Sequence, residues 1–268
     1  MFMLDEILEN KHKEVAEKIR LKPLQEIQAK LAEVRRPRPF YEALNQPGIS
    51  LIAEVKEKSP SKGTFREKYN PLELARIYSE HGARAISVLA DKMFFGGGAE
   101  IVELIANDEH VHIPVMYKEF IIDPYQIYEA RSVGADAVLM IVRAIDPSQL
   151  KEMIVLAHEL GMQALVECFT EGETQRAVEA GAAIIGINNR DLQSFDVDLQ
   201  RSERMRSGLP AATLTVSESG LSTPDDARKA EQLGFDAMLV GEALLKAPDV
   251  VSKVRQFAGV ANEVKSNP

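Results

Sequence analysis

The chain has 268 residues and a formal net charge of −9, and apolar residues make up 45% of it. A chain of this length can bury a sizeable core without staples, and the single Cys168 excludes an intramolecular disulfide framework. The apolar runs are too short to span a membrane and the N-terminal segment is charged early, so we expect neither a membrane span nor a signal peptide. The acidic balance disfavours nucleic acid as a partner.

Residues 1–49 are predicted to form a helical extension. Apolar residues recur at helical spacing from Leu4 to Ile19, and a second amphipathic stretch follows Pro23. Nine basic and eight acidic residues mix over this region, whereas membrane-surface helices favour a polar face of one sign. We therefore expect these helices to pack on the bottom or side of the main domain, with the RRPRP segment (35–39) as a stiff loop.

Eight short apolar runs follow at regular intervals, and helical segments separate them. Most of the runs are continuously apolar, which is typical of parallel strands that are covered on both faces. The runs are 50–55, 85–90, 113–118, 137–142, 163–168, 183–188, 214–219 and 237–241.

A weak repeat marks the passage from helix to strand in EHGARAISV, SVGADAVLM, EAGAAIIGI and QLGFDAMLV. Its glycine fits the end of a helix, where the backbone needs a positive φ. Eight such units predict an α/β protein, a (β/α)8 TIM barrel with an N-terminal helical extension. An open doubly wound sheet is the alternative, but it would have fewer strands and a Gly-rich fingerprint after the first. We predict one domain over 1–268, with the barrel at 50–258 and a tail at 259–268.

Active residues of such barrels lie at the carboxyl ends of the strands, so the polar residues that end each run are candidates. Glu54 and Lys56 are two apart on the first strand and should both point into the mouth. Lys118 ends the third strand, and a single lysine there could instead extend to solvent. In a mouth beside Lys56, desolvation and the like charge would lower its pKa, which suits a general acid. Glu167 ends the fifth strand and gives the site a second carboxylate.

The remaining strand ends are also polar. Asn188 can orient a ligand through hydrogen bonds and Arg190 can bind a carboxylate, although this stretch would also suit a turn. Glycines after the seventh and eighth strands match the recurrent barrel phosphate site, in which backbone N–H groups bind the anion. The polar turn that contains Ser59 and Lys62 could contact the same anion.

Other residues are predicted to be structural. Cys168 is interpreted as a packed thiol because no histidine pattern accompanies it. His110 and His112 fall at the bottom of the barrel without a third ligand, and the run Gly96–Gly98 is interpreted as a mobile loop. We expect no metal site.

Taken together, AEVKEKSPSKG, PVMYKEF, ALVECF, IGINNRDL, VSESGL and LVGEAL resemble the motifs of the indole-3-glycerol phosphate synthase family of tryptophan biosynthesis, in family order over residues 4–258. The resemblance implies a cytoplasmic carboxy-lyase that needs no metal or organic cofactor. Its substrate would be 1-(2-carboxyphenylamino)-1-deoxyribulose 5-phosphate, which ring closure, decarboxylation and dehydration convert to indole-3-glycerol phosphate, CO2 and water.

The resemblance also implies roles, with Lys118 as general acid, Glu167 as acid/base, Glu54 as the partner of Lys56, and Lys56 either as the dehydration acid or as a substrate contact. The catalytic residues that it implies are Lys118, Glu167, Lys56, Glu54, Asn188 and Ser219. The substrate contacts that it implies are Arg190, Glu218, Phe95, Phe120, Leu139 and Leu192, and the phosphate contacts are Ser59, Gly220, Gly241 and Glu242. Tyr117, Glu119, Cys168 and Phe169 depart from the family pattern beside these positions.

Two alternatives stay open. Another phosphosugar barrel enzyme, such as phosphoribosylanthranilate isomerase, would be expected to use a Cys/Asp acid–base pair, but here the only cysteine adjoins Glu167. A non-catalytic phosphate-binding barrel would have no need of Lys118 and Glu167. Whether the chain is a member of the resembled family or another phosphosugar enzyme, its partner is expected to be a small anion. The chain is expected to be a monomer or else a homodimer, and cationic side chains should gather at one rim of the barrel. Those cations are Lys56, Lys58, Lys62, Lys118 and Arg190.

Overall fold

The structure is a computed structural model, and it describes residues 3–60, 62–66, 69–190 and 200–263. Within them eight parallel strands close into a barrel, in which each strand pairs with its neighbours in sequence and the first pairs with the last. The predicted (β/α)8 barrel is therefore confirmed. The barrel strands are β1 (Ser50–Val55), β2 (Ala85–Leu89), β3 (Val115–Lys118), β4 (Ala137–Ile141), β5 (Gln163–Cys168), β6 (Ile184–Asn188), β7 (Leu214–Glu218) and β8 (Ala237–Val240).

Helices follow the strands and surround the barrel, and three more precede it. The helices of the extension are α1 (Met3–Leu21), α2 (Leu24–Lys30) and α3 (Phe40–Leu44). The later helices are α4 (Pro71–Glu80), α5 (Ala99–Ala106), α6 (Pro124–Ser132), α7 (Leu150–Glu159), α8 (Glu171–Glu179), α9 (Gln200–Arg206), α10 (Pro224–Gln232), α11 (Glu242–Leu245) and α12 (Val250–Glu263). Helix α12 thus enters the segment predicted as a tail, and residues 264–268 lie outside the described part.

Short pieces complete the chain trace. Single 3-10 turns lie at Leu31–Glu33 and Val142–Ala144, and a small hairpin pairs Lys58–Ser59 with Gly63–Thr64 between β1 and α4. The glycine of each predicted helix-to-strand repeat has a positive φ, between 83° and 105°, as the left-handed helix end requires. These glycines are Gly82, Gly134, Gly181 and Gly234.

Alternation along the strands creates two apolar layers. In β1, Ile52 belongs to the cluster inside the barrel, whereas Leu51, Ala53 and Val55 belong to the cluster between strands and helices. Glu54 is two residues after Ile52 and therefore shares its inward direction. The same alternation directs the last inward residue of every strand into the barrel mouth, which is where the fold places its functional side chains.

The second part of the extension closes the bottom of the barrel, as predicted. Phe40 and Leu44 of α3 pack into the inner cluster, and the Ser50 hydroxyl at the start of β1 donates a 2.8 Å hydrogen bond to the Leu44 carbonyl. Two arginines of the RRPRP loop, Arg35 and Arg38, form ion pairs with the buried carboxylate of Asp136, directly before β4. That loop is therefore a structural clamp.

Helix α1 packs against α6 on the side of the barrel through Lys18, as expected, but its first half covers the mouth, which the expectation of a bottom or side position did not include. Lys11 is fully buried, and its Nζ lies 3.0 Å from a carboxylate oxygen of Asp91 and 2.9 Å from one of Glu119, residues that follow the carboxyl ends of β2 and β3. Glu14 of the same helix contacts this ammonium at 2.8 Å. Periodicity shows that a helix has an apolar face but not which surface the face covers, and buried carboxylates at the mouth decide its position here.

Replacing Lys11 with methionine should lower the free energy of unfolding by about 3–5 kcal/mol, because Asp91 and Glu119 would become buried charges without their cation. Urea denaturation measures the change. Lys13→Met is the matched control, since Lys13 pairs with Glu9 on the exposed face of the same helix, where water screens the pair. Equal losses in the two variants would contradict a stabilising role for the buried cluster.

Candidate active site

A cavity of about 590 Å³ opens at the carboxyl ends of the strands. It brings together fourteen of the sixteen residues predicted for the site, and the end of every barrel strand contributes at least one of them. The predicted residues that line it are Glu54, Lys56, Ser59, Phe95, Lys118, Phe120, Leu139, Glu167, Asn188, Arg190, Ser219, Gly220, Gly241 and Glu242. Of the other two, Glu218 does not line the cavity, and Leu192 lies outside the described residues.

Glu54 lies between two ammonium groups. One carboxylate oxygen accepts a hydrogen bond from Lys56, and the other accepts one of 2.9 Å from Lys118. Burial raises the pKa of this carboxyl, but the two lysines outweigh it and lower the pKa to about 2. A Cβ on Gly241 would overlap the Glu54 carboxylate, so the glycine at the end of β8 makes room for this pair.

The pKa of Lys118 is raised, and the expectation that it would be lowered is wrong. Burial alone would lower it, but the carboxylate of Glu54 and the negative charge at Glu218 and Glu167 favour the charged form and outweigh burial. The expectation considered desolvation and the like charge of Lys56, and it omitted the effect of the carboxylate between the two lysines. Lys118 therefore faces the cavity as an ammonium at neutral pH, in the protonation state that a general acid requires.

Glu167 and Glu218 are buried inside the barrel at the ends of β5 and β7. Burial raises the pKa of Glu167, although Lys118, Glu218 and Asn188 partly oppose that effect. Glu218 was predicted to contact the substrate directly, but its side chain is 1% exposed and both carboxylate oxygens are buried. It can therefore act on the cavity only through its neighbours.

One wall of the cavity is apolar. The rings of Phe95 and Phe120 are tilted against each other with centroids 6.0 Å apart, and Leu139 lies on the same lining. The prediction did not include Ile141 and Leu239, whose inward direction could have been derived from strand alternation. A flat apolar slot of this kind suits an aromatic ring.

The turn of Gly96–Gly98 supports that wall and is hydrogen-bonded to the end of β2. The N–H of Gly97 donates a hydrogen bond of 2.8 Å to the main-chain carbonyl of Asp91, and that of Gly98 donates one of 3.3 Å to the carbonyl of Leu89. A Cβ on Gly97 would overlap the carbonyl of Leu89. The glycines therefore serve close backbone packing, whereas the sequence suggested a mobile loop.

The opposite end of the cavity is rich in cations. The carboxylate of Glu242 lies 2.6 Å from the ammonium of Lys246 and 3.7 Å from the guanidinium of Arg190, and Lys62 also lines this end. Four of the five predicted cations thus reach the cavity, while Lys58 lies in the hairpin and does not line it. Lys246 was missed, although its i, i+4 spacing from Glu242 was a visible signal.

Asn189 is a second residue that the prediction missed. It is fully buried, and its amide donates to the carbonyls of Glu218 at 3.0 Å and Ser219 at 3.3 Å, while its oxygen accepts from the hydroxyl of Ser202. Ser219 has a φ of 66°, the one positive φ of a residue other than glycine in the described part of the chain. Asn189 therefore fixes the strained backbone on which Ser219 and Gly220 face the cavity.

The residues predicted to be structural fit that interpretation. Cys168 points away from the cavity into the strand–helix layer and is completely buried, so its interpretation as a packed thiol is confirmed. In the described ranges, histidine, cysteine, aspartate and glutamate side chains form no group of three or more that could hold a metal ion. Across those same ranges, each helix is too short or too polar to cross a membrane.

Comparison with known proteins agrees with this geometry. A family model described as indole-3-glycerol phosphate synthase matches residues 4–257. The chain belongs to the indole-3-glycerol phosphate synthase family. Among its relatives, indole-3-glycerol phosphate synthase of Roseiflexus sp. (strain RS-1) is 47% identical over 96% of this chain and 98% of the relative. That of Acetivibrio thermocellus is 44% identical over 85% of this chain and 87% of the relative.

Solved structures with lower identity share the fold of this indole-3-glycerol phosphate synthase family member. Thiamine phosphate pyrophosphorylase from Pyrococcus furiosus is 18% identical and aligns with a TM-score of 0.61 over 82% of this chain and 98% of its own. Orotidine 5'-phosphate decarboxylase from Pyrococcus horikoshii is 13% identical, with a TM-score of 0.60 over 79% and 99%. At these identities the two matches support the barrel fold and nothing further.

The depressed pKa of Glu54 predicts how this family member responds to acid. An unfolded glutamate has a pKa of about 4.3, so ionised Glu54 stabilises the folded state fully above that pH, and the contribution is lost as pH falls toward about 2. The free energy of unfolding should therefore fall more steeply with acid in the wild type than in Glu54→Gln. Urea denaturation across this range measures the slopes, with the exposed Glu159→Gln as control. Parallel slopes in the wild type and Glu54→Gln would contradict the prediction.

Proposed function

We propose that the chain converts 1-(2-carboxyphenylamino)-1-deoxyribulose 5-phosphate to indole-3-glycerol phosphate, CO2 and water, as a carboxy-lyase. The observation that carries this proposal is Lys118, a partly buried ammonium held by Glu54 in a cavity that has an aromatic wall and a cationic end. The substrate has the matching order of groups, with an aromatic ring, a central ketone and a terminal phosphate. A cytoplasmic location and a monomeric state remain predictions.

In the proposed binding mode the two ends of the substrate are anchored separately. The phosphate meets backbone N–H groups of Gly220, Gly241 and Glu242, with Ser59 nearby, at the cationic end of the cavity. The anthranilate ring lies against the wall formed by residues such as Phe95. Anchoring both ends folds a flexible sugar chain so that the ring carbon approaches the ketone, which supplies the positioning that a ring closure needs.

Ring closure is the first proposed step. Lys118 donates its proton to the ketone oxygen, which makes the ketone carbon electrophilic. The ring carbon that bears the carboxylate attacks this carbon, so a carbon–carbon bond forms and the ring loses its aromaticity. The carboxylate then leaves as CO2, and the electron pair of the broken bond returns to the ring.

Dehydration is the second proposed step. The hydroxyl that was the ketone oxygen leaves as water, with a proton from Lys118 or Lys56. Glu167 accepts the proton that the carbon beside the nitrogen loses, and the indole ring becomes aromatic. One proton is taken up from solvent overall, because an ionised carboxylate leaves as neutral CO2. Asn188 and Ser219 line the same part of the cavity and orient the reacting groups.

The arrangement disfavours the two alternative functions. Phosphoribosylanthranilate isomerase would be expected to use a cysteine as one of its acid–base pair, and Cys168 here is buried away from the cavity. A pure phosphate binder has no use for a partly buried ammonium beside the two buried carboxylates of Glu54 and Glu167, since such groups are costly to desolvate.

The wild-type protein should produce indole fluorescence when it is given the carboxyphenylamino substrate, and the chain has no tryptophan to obscure the signal. Lys118→Ala should lower kcat by about 10²–10⁴-fold, because ring closure loses its general acid. Lys151→Ala, on the exposed face of α7, is the control and should keep normal turnover. A folded wild type that forms no indole would overturn the function, and near-normal turnover of Lys118→Ala would overturn the role of Lys118.

Arg190→Met should raise KM for this substrate by about tenfold, the equivalent of about 1.4 kcal/mol, with little change in kcat. The reason is that Arg190 lines the cationic end, where the substrate phosphate is proposed to bind, and the phosphate does not change during the reaction. Steady-state kinetics separate the two constants. Arg84→Met removes an exposed arginine before β2 and serves as the control. If Arg190→Met lowered kcat and left KM unchanged, that result would contradict a binding role for Arg190.

A further inference from the structure

The carboxylates of Glu167 and Glu218 meet across the strand that separates them. Glu167 on β5 pairs in register with Gly186 on β6, and Glu218 on β7 pairs with Asn188, two residues further along β6. All of these positions point inward. A Cβ on Gly186 would overlap a carboxylate oxygen of Glu218, so the absence of a side chain there is what lets the two carboxylates come within hydrogen-bond contact.

The described surroundings of Glu218 offer its carboxylate no hydrogen-bond donor. Both oxygens are buried, and across the described residues no hydrogen-bond donor reaches either of them. Asn189 bonds to the main-chain carbonyl of Glu218, and the ammonium of Lys118 bonds to Glu54. Two ionised carboxylates in contact inside a barrel would be strongly unfavourable, and a proton between them removes both the repulsion and the unpaired charge.

We propose that Glu167 and Glu218 bind one proton between them, that Glu218 holds it, and that Glu218 is a positioning residue for Glu167. The proposal deepens the proposed function and rests on it, because it concerns the base of the dehydration step. Burial and the charge of Glu167 raise the pKa of Glu218 well above its ordinary value, which agrees with a protonated Glu218 at neutral pH.

The shared proton explains how a buried carboxylate can act as a base. Burial raises the pKa of Glu167, and the hydrogen bond from Glu218 opposes that rise and so favours its ionised form. When Glu167 accepts the substrate proton, the pair passes from one proton to two and its charge from −1 to zero. One proton then leaves to solvent before the next turnover, and Glu218 keeps its own throughout.

Infrared spectroscopy in D2O, without substrate, tests the protonation state directly. The difference between wild type and Glu218→Gln at neutral pH should show the C=O band of a protonated carboxyl that only the wild type has. Glu119, whose pKa is raised by burial to about 7, contributes equally to both and cancels. In Glu167→Gln the band should disappear at a lower pH than in the wild type, because the neighbouring negative charge is gone. Glu159→Gln, which removes an exposed carboxyl, should leave the band unchanged.

Two infrared results would overturn the proposal. One is a difference spectrum without a protonated-carboxyl band, which would mean that Glu218 is ionised. The other is a band in Glu167→Gln that disappears at the same pH as in the wild type, which would mean that the two carboxyls do not share a proton. Neither result depends on turnover, so a wild type that forms no indole would reject the proposed function and leave this measurement valid.

Kinetics test the positioning role. Glu218→Ala should lower kcat by at least about tenfold, which is part of the 10²–10⁴-fold that a positioned base contributes. The acid limb of the pH profile of kcat should move to higher pH in this variant, because Glu167 loses its hydrogen-bond donor. Glu218→Gln keeps an N–H donor to Glu167, so it should retain more turnover and an acid limb near that of the wild type. Equal losses in the two variants without a shift of the acid limb would show a merely structural role and overturn the proposal.

Discussion

The site depends on one interaction, the buried carboxylate of Glu54 between the ammonium groups of Lys56 and Lys118. Without it, the two ammonium groups would lie side by side without a counter-charge, on side chains that are largely buried. The Glu54 carboxylate also restricts which residue can stand at the end of β8, since Gly241 must lack a side chain where the carboxylate lies. It follows that the acid of the proposed reaction is prepared by the first and third strands before any substrate binds.

Charge balance extends this constraint to the other side of the barrel. The inner ring holds two lysines and three glutamates, so the fully ionised set would carry a net negative charge in a place where burial penalises it. A single proton on Glu218 makes the set neutral. Gly186 then has the same function for the Glu167–Glu218 pair that Gly241 has for Glu54, since each glycine leaves the space that an inward carboxylate needs.

The sequence predicted the barrel and most of the cavity lining because both follow from local patterns. Apolar runs, helix-ending glycines and the rule that barrel chemistry lies at the carboxyl ends of strands were enough to select residues such as Lys118. The predictions that were wrong concern properties that depend on contacts between segments far apart in the chain. The pKa direction of Lys118 depends on the position of Glu54, and the burial of Glu218 depends on a glycine of another strand. The place of α1 depends on carboxylates that follow two other strands.

That placement of α1 connects the extension to the chemistry. Lys11 neutralises Asp91, whose carboxylate also accepts the N–H groups of Phe94 and Phe95 at 2.7 and 3.2 Å, and it neutralises Glu119, the residue directly after Lys118. One ammonium from the extension thus fixes both the aromatic wall and the end of β3. The same extension reaches the barrel bottom through Arg35, so a single segment ties the mouth to the base. The net charge of −9 therefore says little about the site, where cations brought from distant segments hold carboxylates in neutral clusters.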